Sequence, residues 1–363
     1  MHKFLIKFSS IILSIGMIHA SAAAAADVGK GASAAGAVGD MALYQGADRE
    51  ARLIEGAKKE GDLSIYYVYQ NMPIIMAAFT KKYGIKVKSW RAGSEAVLQR
   101  EVTEAAAGRF DVDIVQTMAP ETESLHREKL LQEVRSPYLK DLIPEASPAH
   151  KEWVGFATDL FVAAYNTNKI KKEDLPKTYA DLLDPRWKGK LGIEADDDGW
   201  FGTLVDALGG EKGLKLMSDI AATNGISPRK GHALLNNLVA SGEVPLALDV
   251  FVYMPEQLKQ KGAPIERFTI SPAIAQISTI AMAKKVPNRN SALLFYDFML
   301  SDEGQKLLAD TAFIPTSKKV APPGWYAKDA KTPIKYVDPV KALDMHDKWQ
   351  KMWEKTITQR GAM

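Results

Sequence analysis

The sequence predicts an α/β fold in two lobes, each a sheet with helices on both faces. Short β-branched and aromatic runs alternate with segments whose apolar residues recur at helical spacing, the pattern of a largely parallel, helix-covered sheet. Glycines such as Gly61 and Gly108 punctuate the junctions. At 363 residues the chain is long enough to bury more than one core, and two lobes are the default at that length.

The chain opens with Lys3 and Lys7 around an apolar run at residues 8–18, followed by small residues to Ala26. A basic start, an apolar stretch too short to anchor in a bilayer, and a small-residue cleavage region describe an export signal over residues 1–26. Cysteine is absent, so a lipid anchor on that residue type is excluded and a free periplasmic protein is expected. Disulfides likewise contribute nothing to stability. Residues 27–47 read as a flexible lead, since their Ala/Gly-rich start offers little apolar bulk to offset the entropy of ordering. The body then begins with a helix capped by Asp48, a strand over residues 63–69, a helix over 73–83 and a strand over 85–90. Ser94 caps the next helix; a strand over 110–115 and a helix from Pro120 to residue 131 follow. Asp111 and Asp113 read as solvated acids at a strand end. Residues 156–165 and 264–271 are extended runs suited to carrying the chain between lobes and back. Residues 339–358 hold Leu343, His346, Trp349, Met352, Trp353 and Ile357 near helical spacing, a helix packing on a lobe.

Formal charge is +3, falling to about +1 once the signal lysines are removed, with bases and acids interspersed. A nucleic-acid partner or a membrane surface normally requires a basic concentration, so neither is expected.

Several segments together resemble one family. They are Trp90-Arg91-Ala92-Gly93-Ser94-Glu95, Phe110-Asp111-Val112-Asp113-Ile114-Val115, Ala164-Tyr165-Asn166-Thr167-Asn168-Lys169, Asp184-Pro185-Arg186-Trp187-Lys188-Gly189, Ser241-Gly242-Glu243-Val244-Pro245 and Phe295-Tyr296-Asp297-Phe298-Met299. In this order and spacing they resemble the extracellular solute-binding proteins of ABC importers, within them the ferric-iron-binding group. The resemblance implies a type II periplasmic-binding-protein fold, with two α/β lobes joined by two hinge crossings around a ligand cleft. It places lobe 1 at residues 48–158 and 265–320, lobe 2 at 159–264, and a C-terminal extension with a closing helix at 321–363. A monomer that hands its solute to an inner-membrane permease is expected.

Candidate ligand residues lie where strands meet helix N-termini, the usual ligand position in such sheets. The first strand ends in Tyr67, Tyr69 and Gln70. Arg91 and Ser94 form a turn where a guanidinium and free amides can clasp an oxyanion. Asp198, read as an N-cap, stands with Gly199 where the resemblance places a Ser-Gly pair; a capping aspartate repels a second anion, so either the ligand presents a cationic or hydroxyl group here or another part of the turn faces it. Trp200, His232, Asp249 and Tyr253 complete the set, each also compatible with plain packing or solvation. Of the adjacent tyrosines that ferric-binding relatives use, only Tyr253 remains, and Gln70 stands where their histidine falls. A small oxygen-rich organic solute is therefore the expected ligand, with ferric iron on Tyr67, Tyr69, Asp249 and Tyr253 as the alternative. No cofactor is expected. A periplasmic hydrolase is the competing class, yet G-x-S-x-G, H-E-x-x-H and a phosphate-binding loop are all absent, and Ser227-Pro228-Arg229-Lys230 lacks the companions of an S-x-x-K enzyme.

Overall fold

The computed structural model describes residues 40–328 and 332–358. The signal expected at residues 1–26 and the lead as far as residue 39 lie outside them. Residues 40–47, expected within that lead, pack on the body instead. Ala42 is buried, its carbonyl accepts the Arg135 amide, and the buried Arg49 guanidinium binds the carbonyls of Met41 and Tyr44.

Eleven strands are described: β1 (Leu63–Tyr67), β2 (Val87–Arg91), β3 (Ile114–Met118), β4 (Trp153–Asn166), β5 (Leu191–Glu194), β6 (Ile226–Arg229), β7 (Leu246–Phe251), β8 (Ile265–Phe268), β9 (Ala273–Met282), β10 (Ile314–Pro315) and β11 (Ile334–Tyr336). The helices are α1 (Arg49–Ala57), α2 (Met72–Tyr83), α3 (Ser94–Ala106), α4 (Ala119–Arg127), α5 (Asp198–Ala207), α6 (Glu211–Asn224), α7 (His232–Ser241), α8 (Tyr253–Gln260), α9 (Arg289–Leu300), α10 (Asp302–Asp310) and α11 (Pro339–Trp353). The sheet runs β2-β1-β3-β9-β4-β7-β5-β6.

One strand explains how the sheet becomes two α/β parts. β4 is buried along its whole length. From Trp153 to Leu160 it pairs with β9, and from Phe161 onward with β7 and β8. The pairing partner changes between Leu160 and Phe161, inside the extended run 156–165. The chain returns between β8 and β9, across residues 269–272. These are the two crossings of a type II binding-protein fold, and each leaves a few backbone torsions to absorb relative motion.

β3 starts later than the apolar alternation suggests, because Asp113 is an anchor and not a solvated strand end. It is fully buried and accepts from the Ser64 amide at 2.9 Å and from the Asn288 amide and side chain at 2.8 and 3.0 Å. A buried carboxylate requires such partners. Asp48 does sit at the N-cap position of α1, but its carboxylate binds Tyr44 and Arg52 and not the helix amides.

α11 packs on both parts of the structure. Its Asp344 meets Arg127 of α4 at 2.8 Å, while the Trp349 ring lies over Gly202 of α5 and the Trp353 indole donates to the Ala195 carbonyl at 2.8 Å. Trp349 and Trp353 are core residues.

Candidate functional site

The carboxyl end of β1 is pinned from the neighbouring strand. Gln116, buried on β3, accepts the Val68 and Tyr69 amides through one oxygen, at 2.9 and 2.8 Å. That fixes Tyr69, whose ring meets Phe156 edge-on at 5.3 Å, Phe313 at 3.9 Å and Tyr253 at 6.4 Å. The Tyr69 hydroxyl is buried without a hydrogen-bond partner. Burial drives its pKa far above the usual phenol range, and the Asp159 charge adds to the rise. Tyr67, two residues earlier on the same sheet face, is a core residue; Gln70 is exposed just beyond.

Arg91 ends β2, exposed, and its Nε donates to the Val68 carbonyl at 3.1 Å, reaching toward the end of β1. Its charge is near enough to act on Tyr253. Gly93 occupies the N-cap position of α3 and Ser94 is the first helical residue, so the expected Ser94 side-chain cap does not form. Behind this turn stands Glu121, in the first turn of α4. One of its carboxylate oxygens is buried and unpartnered. Burial, with the charges of Glu95 and Asp198, pushes its pKa up to about 7.

At the crossing, Asp159 is 1% exposed on β4. The Ser278 hydroxyl of β9 donates to one oxygen at 2.5 Å and the other oxygen has no partner. Burial raises its pKa to about 7 against the pull of Ser278 and His232.

From the other side come β5, β7 and the N-termini of α5, α7 and α8. Asp249 is fully buried on β7; one oxygen accepts the Glu194 amide at 2.9 Å and the other is unpartnered. Burial lifts its pKa well above the carboxylate range, and the Asp197 charge adds to it. Asp197 sits at the N-cap position of α5 without capping it, and lies 3.5 Å from His232 Nε2. His232 begins α7 between Phe251 at 4.2 Å and Phe161 at 6.1 Å. Burial pulls its pKa down, but Asp197 and Glu194 outweigh that and hold the imidazole above its ordinary value, favouring the cation. Glu194 has its own structural task, accepting the amides of Gly231 and Asp196 and so fixing the loops that carry His232 and Asp197. Tyr253 begins α8, 6% exposed, with its ring parallel to Phe251 and 4.2 Å from Phe313; burial and Asp159 hold its phenol strongly protonated.

Asp198 differs from its sequence reading. It is the first residue of α5, not its cap, and its carboxylate lies 3.2 Å from His346 of α11. Trp200 is a core residue. Thus Tyr69, Asp249, His232 and Tyr253 fall into one buried neighbourhood, with Arg91 near it. The sequence reading did not select Asp159, Glu121 or Asp197. Asp159 carried a signal: it is an acid inside a long apolar strand, where an ionisable group must have a partner or a task. A surface groove of about 700 Å³ between α6 and α11, lined by Lys215, Lys348, Lys351 and Lys355, includes none of these residues.

Chemically, the neighbourhood offers buried oxygens without partners on both sides of the crossing, opposed by one guanidinium and one imidazolium. The model of the bacterial extracellular solute-binding proteins matches residues 75–334. The chain belongs to that family. Members of the family are binding proteins and not enzymes. It is similar to iron uptake protein A1 of Synechocystis, 27% identical over 279 residues, 70% of this chain and 77% of the relative. It is also similar to a putative 2-aminoethylphosphonate-binding periplasmic protein of Salmonella typhimurium, 24% identical over 319 residues, 84% and 86% of the two chains. Among solved structures, iron-bound HitA of Pseudomonas aeruginosa superposes with TM-score 0.69 at 25% identity, covering 82% of this chain and 99% of that one. AfuA of Actinobacillus pleuropneumoniae with fructose-6-phosphate gives 0.72 at 21%, with 82% and 99% covered, a likeness of fold alone.

Proposed function

We propose that this solute-binding protein is the periplasmic receptor of an ABC importer and that its solute is a small organic zwitterion, oxyanion at one end and amine at the other. Lobe 1 begins at residue 48 and lobe 2 at residue 159; β8, placed by the sequence reading in lobe 1 at 265–320, pairs with the lobe 2 half of β4, so lobe 2 runs to residue 268 and lobe 1 resumes after the return at 269–272, with α11 packing against both. The observation that carries the reading is the set of unpartnered buried carboxyl oxygens of Glu121, Asp159 and Asp249. Burying a carboxyl without a partner is unfavourable, and a cationic or hydrogen-donating ligand supplies what is missing. A purely anionic solute meets those acids head-on. Arg91 with the amides of the Ser94 turn receives the oxyanion, in charge-assisted hydrogen bonds. The ligand leaves chemically unchanged, and lobe closure serves to report occupancy to a permease. The protein acts as a monomer after its export signal is removed.

Ferric iron is the second reading, favoured by one observation: Tyr69, Tyr253, Asp159 and Asp249 are oxygen donors of the type a hard cation takes. Tyr67 is buried in the core beneath them. Iron ranks second because both phenols are held protonated by burial and by Asp159, and Tyr253 has no tyrosine beside it, its neighbours being Val252 and Met254.

Melting curves of purified protein with 2-aminoethylphosphonate, fructose 6-phosphate and ferric citrate separate the readings. A ligand at a hundred times its Kd stabilises by about 2.7 kcal/mol. The zwitterion is expected to raise the melting temperature most; a rise with the sugar phosphate alone refutes the assignment of the acids, and a rise with iron alone selects the second reading.

A further inference from the structure

A second cluster of ligating groups lies where the last turn of α4 meets the turn before β4. His126 and His150 stack, centroids 3.7 Å apart and planes 11° from parallel. His126 Nδ1 is 2.7 Å from a Glu152 carboxylate oxygen, and His150 Nε2 is 3.3 Å from a carboxylate oxygen of Glu123. The ligating atoms of Glu123, His126 and His150 all fall within 4.8 Å of one another.

We propose that this cluster is a divalent transition-metal site, taking Zn²⁺ through Glu123 and the two imidazoles. The donor set is right for that class: imidazole with carboxylate suits zinc better than the oxygen-only sites of calcium or magnesium. The outer contacts are those of a built site. Glu152 takes the Nδ1 proton of His126, which leaves the Nε2 lone pair open, the usual carboxylate–histidine–metal arrangement. The indole of Trp153 donates to Glu123 at 3.1 Å and orients that carboxylate, itself largely buried. Glu123 lies 4.0 Å from the Arg127 guanidinium, which Asp344 already engages at 2.8 Å, so a bound cation adds positive charge beside the two carboxylates of the cluster.

Zinc bonds of about 2.0–2.2 Å put ligand atoms roughly 3.4 Å apart, so the side chains draw in by about 1 Å and one ring tilts out of the stack. His150 Nδ1 now accepts the Glu152 amide at 3.0 Å, which leaves the Nε2 proton for zinc to displace. Glu123 follows Glu121 by two residues on α4, a rotation of about 200° that puts the two carboxylates on nearly opposite faces of the helix, so the cluster is separate from the solute neighbourhood and independent of the ligand proposed there.

The test is calorimetric titration of the chelator-treated protein with ZnCl₂, in the wild type and in His126→Ala, His150→Ala, Glu123→Gln and His232→Gln. One equivalent should bind, with affinity at least tenfold weaker in each of the first three and unchanged in His232→Gln; Glu152→Gln should weaken it about tenfold through the outer contact. Glu123→Gln preserves shape, so it keeps the test decisive should a histidine variant fail to fold. No heat at 100 µM zinc in the wild type overturns the proposal, and so does loss of binding in His232→Gln alone.

Discussion

Asp159→Asn isolates the buried acid at the crossing. In the folded chain its carboxyl titrates at about 7, against 3.8 for an ordinary aspartate. Between those values the folded state holds a proton that the unfolded state has released, so folding stability falls as pH rises. A shift of about three units is roughly 4 kcal/mol over the full range, of which about 3 kcal/mol falls between pH 5 and pH 8. Water entering an open cleft lowers this, so it is a ceiling. Asparagine keeps an oxygen for the Ser278 hydroxyl but never ionises. The variant should therefore gain on the wild type as pH rises, by up to about 3 kcal/mol from pH 5 to pH 8, in urea unfolding of ligand-free protein. The same change removes the counter-charge of an ammonium ligand, so affinity for 2-aminoethylphosphonate should fall while apo stability at pH 8 rises. A stability difference between the two proteins that does not vary with pH refutes the reasoning, because it leaves Asp159 ionised and solvated in the fold.

Arg91→Ala should weaken an oxyanion ligand by about 1.5–3 kcal/mol in calorimetry, the range of a hydrogen bond to a charged group; unchanged affinity removes Arg91 from the site. Gly202→Val places a side chain where even a Cβ would stand 2.1 Å from the Trp349 ring. It should lower stability by about 1–3 kcal/mol in chemical denaturation by displacing α11, and an unaltered midpoint contradicts the packing described. If iron is the ligand, adding ferric citrate should produce a visible tyrosinate band that disappears in Tyr253→Phe; a colourless wild-type solution eliminates the second reading.

Much of the fold was legible because its signals are local. Alternation of strand and helix, glycine breaks, and the apolar run across residues 156–165 all survive in the structure, and the family resemblance rested on segments spread along the same body. The boundaries moved where a side chain does something long-range. β3 begins late because Asp113 ties Ser64 to Asn288, a contact across 175 residues that no local pattern announces. Asp198 was misread as a cap for the same reason: its partner is His346, far along the chain on α11. The candidate site was partly readable, since Tyr69, Asp249, His232 and Tyr253 all sit at strand ends or helix starts. What distinguishes Asp159, Asp197 and Glu121 is burial from opposite sides of a crossing, a property of the assembled sheet and not of their neighbours in sequence.

The central claim, that buried acids and one guanidinium capture a small zwitterion without altering it, is met most directly by one titration. Purified protein is titrated with 2-aminoethylphosphonate in a calorimeter and the recovered ligand is examined by phosphorus NMR. One equivalent bound and returned with its spectrum unchanged is the expected result. Absence of heat at millimolar ligand, or a new phosphorus signal that grows with time, contradicts the claim.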